Sequence, residues 1–357
     1  MVDLQKLVLP FLSLLVLLLL VLKVERSQAI KQRPSLPRYT VEEVENDPRL
    51  FSGADAFIMT GAMTEWKGMN DDSKFRNMSW WAKEFPGSIV DYYPGNLADP
   101  AKKPFLRPMR DVLREFRKKM KRPRRPSQRY KRSRYIHWRM ILNEWRKIRP
   151  LMEPIPKFLS IDEKWMRECI PPRRRVGDEE DWPLNNFVRN AHWKIILIGE
   201  VNSTMFFHAD GFSTATYLLQ LVGRKRVIVC APSEAKYLYR AGDIDTWAPD
   251  HDRTPLFQKA NCTDNTIHPG EVLFYPAHWW HHTLNLDRPT IGMAGRHING
   301  WNVDEVYEEL RQRCLNPGPD ITKEWPAAAP NLSKRNCAAV HRCVKMWKEI
   351  WPIDHLR

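Results

Sequence analysis

The chain predicts a mainly β domain with flanking helices: an antiparallel barrel set between helical segments. Three observations point there. Downstream of His192 the apolar residues take the period of strands in seven runs, 194–199, 204–210, 214–222, 226–230, 271–275, 280–286 and 290–295, most of them separated by turn residues. Helical spacing occurs mainly to either side, as in Val112, Phe116 and Met120, or Val306, Leu310 and Cys314. The 357 residues are 43% hydrophobic and include 15 Trp, enough for a substantial core.

The first 29 residues read as a targeting segment. Residues 7–22 are apolar except for Ser13 and are bounded by Lys6 and Lys23. As a helix they would span about 24 Å, short of a typical hydrocarbon core of roughly 30 Å. Ser27-Gln28-Ala29 offers a small-x-small cleavage site, so both a removed signal peptide and an uncleaved signal anchor fit, with the charges at Lys23, Glu25 and Arg26 favouring the anchor. Lys23 and Arg26 mildly favour a cytosolic C-terminal side. Glycosylation sequons at Asn77, Asn202, Asn261 and Asn331 and an even set of six cysteines favour a lumenal one. We therefore expect the secretory pathway, in the endoplasmic reticulum or Golgi membrane, with a lumenal domain. Cys314, Cys337 and Cys343 could staple the tail, and Cys230 reads as a buried strand residue.

In chain order, 30–38 is a Pro- and basic-rich linker. Folded structure begins near Tyr39, where Thr40-Val41-Glu42-Glu43 is a capping box. A buried strand follows over Ala56-Phe57-Ile58-Met59-Thr60-Gly61, closed by Trp66, then a short helix over 79–85 and a strand over 89–93. Helical spacing over 109–120 gives way to an exposed loop over 121–134 and returns over 136–148, with Trp138, Ile141 and Trp145 on one face. Helices are expected again over 303–315 and 334–350.

The net charge of +15 belongs to one segment. Residues 117–149 carry fifteen Lys or Arg against Glu144 alone, leaving the rest of the chain close to neutral. Such an insertion suits an acidic partner: a peptide, a glycan or anionic headgroups. It would also neutralise phosphates, but a secretory location excludes nucleic acid. A solvated insertion without a specific partner fits equally well.

Phe207-His208-Ala209-Asp210 is answered some seventy residues later by Ala277-His278-Trp279-Trp280-His281-His282. In a strand, residues i and i+2 share a face, so His208 and Asp210 converge. With a distant His they write a 2-His-1-carboxylate facial triad, which holds Fe(II) and leaves three cis positions open. Phe206, Phe207, Trp279 and Trp280 would keep such a site dry. His282 should point to the opposite face as a packed or surface histidine, and His278 sits in the preceding turn.

Four features over 192–299 resemble the JmjC/cupin-8 family of Fe(II)- and 2-oxoglutarate-dependent oxygenases, in its small protein-hydroxylase branch. They are His208-x-Asp210, Gly223-Arg224-Lys225-Arg226 before a strand ending Ala231-Pro232, Pro269-Gly270-Glu271-Val272-Leu273-Phe274-Tyr275-Pro276, and Trp279-Trp280-His281. The resemblance implies a double-stranded β-helix (jelly-roll, cupin) core of JmjC type over 192–299, within an oxygenase domain of 39–310 that carries the basic insertion 117–149, followed by a helical tail over 311–357. It implies His208, Asp210 and His281 as iron ligands, Lys225 as the partner of the distal carboxylate of 2-oxoglutarate, and Thr216 as a further cosubstrate contact. The activity implied is that of a dioxygenase using Fe(II), 2-oxoglutarate and O2 to hydroxylate a protein or peptide side chain.

Two positions depart from the family pattern. Met205 stands three residues before His208, where relatives often have Thr, and Ala294-Gly295-Arg296 replaces a V-N pair on the last strand. They motivate an alternative, a catalytically silent lumenal scaffold, against which the retention of His208, Asp210, His281 and Lys225 argues. The sequon at Asn202, six residues before His208, would lie near the pocket mouth, where a glycan would obstruct substrate, so it is expected to be unmodified or to sit on a turn facing away.

Overall fold

The structure, a computed structural model, describes residues 33–70, 74–94, 104–120, 133–159 and 193–315. The apolar run 7–22, residues 121–132 of the basic segment, Cys169, Cys337, Cys343, Asn331 and the expected helix 334–350 lie outside the described residues. Among the described residues no helix is long and apolar enough to cross a membrane.

Two sheets face one another. The larger runs β1-β2-β11-β8-β13-β6-β5-β3-β4, built from Arg38–Thr40, Phe57–Thr60, Val272–Tyr275, Ala215–Val222, Thr290–His297, Lys194–Gly199, Tyr135–Arg139, Ile89–Tyr93 and Phe105–Pro108. The smaller runs β10-β9-β12-β7, from Thr263–Ile267, Lys225–Cys230, Trp280–Asn285 and Thr204–Ala209. Each pairing is antiparallel except β1 with β2. This is the mainly β cupin architecture with flanking helices that the seven strand runs and the resemblance led us to expect.

Local chemistry sets the helical boundaries. Thr40 caps α1 (Val41–Asn46) through the expected capping box with Glu43. α2 (Pro48–Ser52) starts with Pro48 in its first turn and stops at Gly53, whose φ of 78° suits glycine; a Cβ there would strike the Phe274 ring. Asn77 caps α3 (Met78–Glu84) by accepting from Ser79 N and Trp80 N. α4 (Met109–Met120) buries Val112, Leu113 and Phe116 against the outer face of the larger sheet.

Strand alternation sorts the core into three layers. Phe57, Met59, Trp66, Trp81, Trp138, Leu219, Phe274 and Met293 fill the layer on the outer face of the larger sheet. Ile58, Leu218, Val227, Val229, Leu273, Tyr275 and Ala294 lie between the sheets. Phe207, Ile228, Cys230, Ile244, Phe257 and Cys262 form the third, on the outer face of the smaller sheet.

Two expectations are corrected. Residues 136–148 are not one helix: β5 occupies Tyr135–Arg139 and α5 (Leu142–Ile148) begins only after it. β5 alternates Ile136 and Trp138, in the outer layer, with the polar His137 and Arg139, but it is only five residues long and the spacing of Trp138 and Trp145 imitates a helix. β10 lies outside the seven expected runs, because its residues are polar except for the buried Ile267. Its Asp264 pairs with Arg226 across the strand and its Asn265 Oδ1 accepts from Leu36 N at 2.7 Å.

Cys230, buried in β9 as expected, is also bonded to Cys262 at the start of β10, closing a loop with a sequence separation of 32. The bond anchors the segment that lies over the smaller sheet, and loop-closure entropy puts its contribution at about 3–4 kcal/mol. Cys262→Ser should therefore shift urea unfolding of the oxidised protein to lower midpoint by that free energy. Coincident unfolding curves would show that packing alone holds this segment.

Candidate metal centre and anion pocket

The register of β12 against β7 sets His281 directly opposite His208. Asp210 follows β7 by one residue, and the three side chains bring one ligand atom each to within 4.8 Å of one another. His208 Nε2 lies 3.8 Å from Asp210 Oδ1. His208 Nδ1 is 2.7 Å from the Phe206 carbonyl and His281 Nδ1 is 3.5 Å from the Trp279 carbonyl. With the proton on Nδ1 the His208 ring donates to the backbone and leaves Nε2 for a metal, the arrangement that fixes a metal-ligating imidazole; His281 makes the longer version of the same contact, and its Nε2 faces the Tyr275 hydroxyl at 3.2 Å.

Burial favours the neutral form of both rings, lowering His208 and taking His281 down to about 3, with the neighbouring His208 pressing His281 further. Burial alone would raise Asp210; the Arg296 guanidinium and the Thr216 hydrogen bond hold it well below the carboxylate range. Two neutral imidazoles and one carboxylate are a donor set that fits Fe(II). The three residues singled out in the sequence as ligands are therefore brought together.

The outer oxygen of Asp210 is densely held. Thr216 Oγ1 donates to Oδ2 at 2.8 Å, Tyr275 OH donates to it at 3.2 Å, and Arg296 Nη1 sits 2.8 Å away. Arg296 also donates to Thr216 Oγ1 at 3.2 Å. The Thr216 hydroxyl, expected at the cosubstrate, is thus engaged by Asp210 and Arg296.

Farther down the barrel, Lys225 on β9 is fully buried and its Nζ has no hydrogen-bond partner among the described residues. Burial pulls its pKa from 10.5 to about 7. His137 Nε2 and Asn285 Oδ1 are likewise buried and unpartnered. His137 is taken to about 3 by burial first, then by the charges of Arg139, Lys225 and His208. An interior ammonium without a counter-charge is costly, and a carboxylate beside it removes that cost. The surroundings of Lys225 fit an anion.

Arg296 is the site residue that motif reading missed. The departure at Ala294-Gly295-Arg296 drew attention to Gly295, yet Gly295 faces the outer layer, where a Cβ would meet the Tyr217 ring. Ala294 and Arg296 face inward, and the available signal was that alternation: an arginine at an interior position of a barrel strand needs an anion. Met205 is brought to the inner face by a bulge: His281 pairs with His208 but Thr283 pairs with Met205, so β7 carries an extra residue there.

The aromatic and histidine neighbours sort by face. Phe206 packs on His208 with ring centroids 4.8 Å apart, and Trp279 borders the inner layer. Phe207 and Trp280, expected to dry the site, instead pack on one another at 5.2 Å in the outer layer. His282 also faces outward, buried, accepting from Trp247 Nε1 at 3.1 Å and meeting Thr246 Oγ1 at 2.7 Å. His278 pairs at the surface with Glu305 of α6 (Val303–Leu315), 2.7 Å apart. Asn202 lies in the turn before β7, at the end of that strand remote from His208, which is the second of the two placements expected for it.

The family of cupin-like domains matches residues 97–297, more than half of the chain. The mouse tRNA wybutosine-synthesizing protein 5 is 28% identical over 219 residues, covering 54% of this chain and 61% of that protein. Its zebrafish (Danio rerio) counterpart is 41% identical over 154 residues, 41% of this chain and 47% of that protein. The rat HSPB1-associated protein 1 is 32% identical over 151 residues, 39% of this chain and 30% of that protein. The matches thus span less than two thirds of these curated relatives. With the fold, these likenesses establish that the chain belongs to the cupin-like domain family, of the JmjC type.

Proposed function

We propose that this protein is an Fe(II)- and 2-oxoglutarate-dependent dioxygenase that hydroxylates a protein side chain in the secretory pathway. One observation carries the reading: a His-Asp-His donor set and an unpartnered buried lysine face the same barrel interior. Bound there, Fe(II) and 2-oxoglutarate would supply the oxidation, with O2 giving one oxygen atom to a substrate C–H bond and one to succinate, formed with CO2. His208, Asp210 and His281 would hold the metal, and Lys225 would hold the distal carboxylate. Phe206 and Trp279 limit water at the centre. The scaffold alternative loses support from Gly295, which faces away from the pocket.

The secretory assignment rests on the apolar run 7–22, the exposed sequons at Asn77 and Asn261, and the Cys230–Cys262 bond, a feature typical of oxidising compartments. A second reading, an RNA substrate, takes its support from the names of the wybutosine-synthesizing relatives and from the basic segment 117–149. Location separates them. Full-length protein expressed in animal cells should carry glycosidase-sensitive glycan and give a reticular signal; nuclear or diffuse cytosolic signal without glycan would favour RNA.

Purified protein given Fe(II), ascorbate, oxygen and 2-oxoglutarate should release succinate slowly even without prime substrate. His208→Ala and Asp210→Ala should reduce it to the level of metal-free protein, and undiminished turnover in either would reject these ligands. Lys225→Ala should weaken 2-oxoglutarate binding about 30-fold or more, the cost of leaving one partner of a buried charge pair alone.

Because Lys225 sits near 7 without an anion, it is charged below that pH and neutral above it. Above pH 7 the dianion must therefore bring a proton, and its affinity should fall by up to about tenfold per pH unit. Calorimetry on Mn(II)-loaded protein would measure this. Lys225→Arg, always charged, should flatten the profile; an unchanged slope would assign the dependence to another group.

A further inference from the structure

We propose that Arg296 is a positioning residue that keeps Asp210 a one-oxygen metal ligand, so that three cis coordination positions stay open. The proposal rests on the metal reading above. A carboxylate with two free oxygens can chelate a cation through both. An oxygenase of this class needs three adjacent open positions, two for the cosubstrate and one for oxygen. A bidentate Asp210 would consume one of them.

The geometry divides the two oxygens of Asp210. Oδ2 is held by Thr216 Oγ1 at 2.8 Å, Tyr275 OH at 3.2 Å and Arg296 Nη1 at 2.8 Å. Oδ1 faces His208 Nε2 at 3.8 Å. Of the three groups on Oδ2, only Arg296 is charged, and charge-assisted hydrogen bonds are roughly twice as strong as neutral ones. Its guanidinium is buried, and among the described residues its side chain bonds to nothing but Asp210 and Thr216.

Charge acts in the same direction. A guanidinium beside the metal repels a dication and attracts a dianion. Arg296 is therefore not placed to tighten metal binding; it shapes the centre and favours the cosubstrate. Loss of Arg296 should leave metal affinity equal or higher while cosubstrate affinity falls. A merely structural residue would weaken both.

The test counts exchangeable waters on Mn(II) bound to full-length protein, from the broadening of its EPR lines in water enriched in the magnetic oxygen isotope. Wild type should show three open positions and Arg296→Met two. The variant should bind Mn(II) at least as tightly, and 2-oxoglutarate roughly tenfold more weakly. Arg296→Lys, which keeps a charged donor on Oδ2, should restore three waters. Thr216→Val removes one donor without removing charge and should shift the count in the same direction, and it serves where the Met variant does not fold. Three waters in every variant would overturn the proposal, as would parallel loss of Mn(II) affinity and melting temperature. Failure of wild type to bind Mn(II) would overturn the metal reading itself, and this proposal with it.

Discussion

The register of β12 between β7 and β9 governs the site. It sets His281 opposite His208 on one side and Asn285 opposite Lys225 on the other. A slip of one residue would turn every side chain of β12 to the other face, sending His281 outward and His282 inward. Four residues of strand separate His281 from Asn285, about 13 Å. A lysine side chain and a short dicarboxylate together could fill such a gap. The Cys230–Cys262 bond and the His282 contacts with Thr246 and Trp247 lie on the outer face of the same strands and resist their sliding.

The barrel interior carries an unusual load of charge for a space this dry. Asp210 has Arg296, and Asp91 has Arg139, whose Nε and carboxylate oxygen lie 2.7 Å apart between two buried side chains. Each of these pairs balances itself. Lys225 has no counter-charge among the described residues and gives up much of its basicity in consequence. Among the described residues Lys225 is the inward-facing cation without such a partner, and that unbalanced charge defines the ligand class.

Much of this was legible before any coordinates. Long strands announce themselves by alternation, so β6 to β9 and β11 to β13 match the sequence reading to within a residue or two. The triad was legible because its members lie two apart on one strand and at a fixed motif on another. What failed did so for physical reasons. β5 is short, and Trp138 and Trp145 beyond its end fall at a helical spacing that masks its alternation; β10 is polar because it closes an edge. Phe207 and Trp280 were credited to the site from sequence proximity, which cannot say which face a residue takes. Arg296 was hidden behind the glycine before it, and Met205 behind a bulge that no spacing rule reveals. The Cys230–Cys262 pair was unreadable because it joins an anticipated strand to one that was not anticipated.

The central claim is that one barrel interior holds a metal on His208, Asp210 and His281 and a dicarboxylate on Lys225. Anomalous diffraction from crystals grown without oxygen, with Mn(II) and 2-oxoglutarate, tests it most directly. The account predicts one anomalous peak bonded to His208 Nε2, Asp210 Oδ1 and His281 Nε2, with a dicarboxylate running from it to Lys225 Nζ. A peak elsewhere, or a metal on these residues with the anion bound away from Lys225, would contradict it.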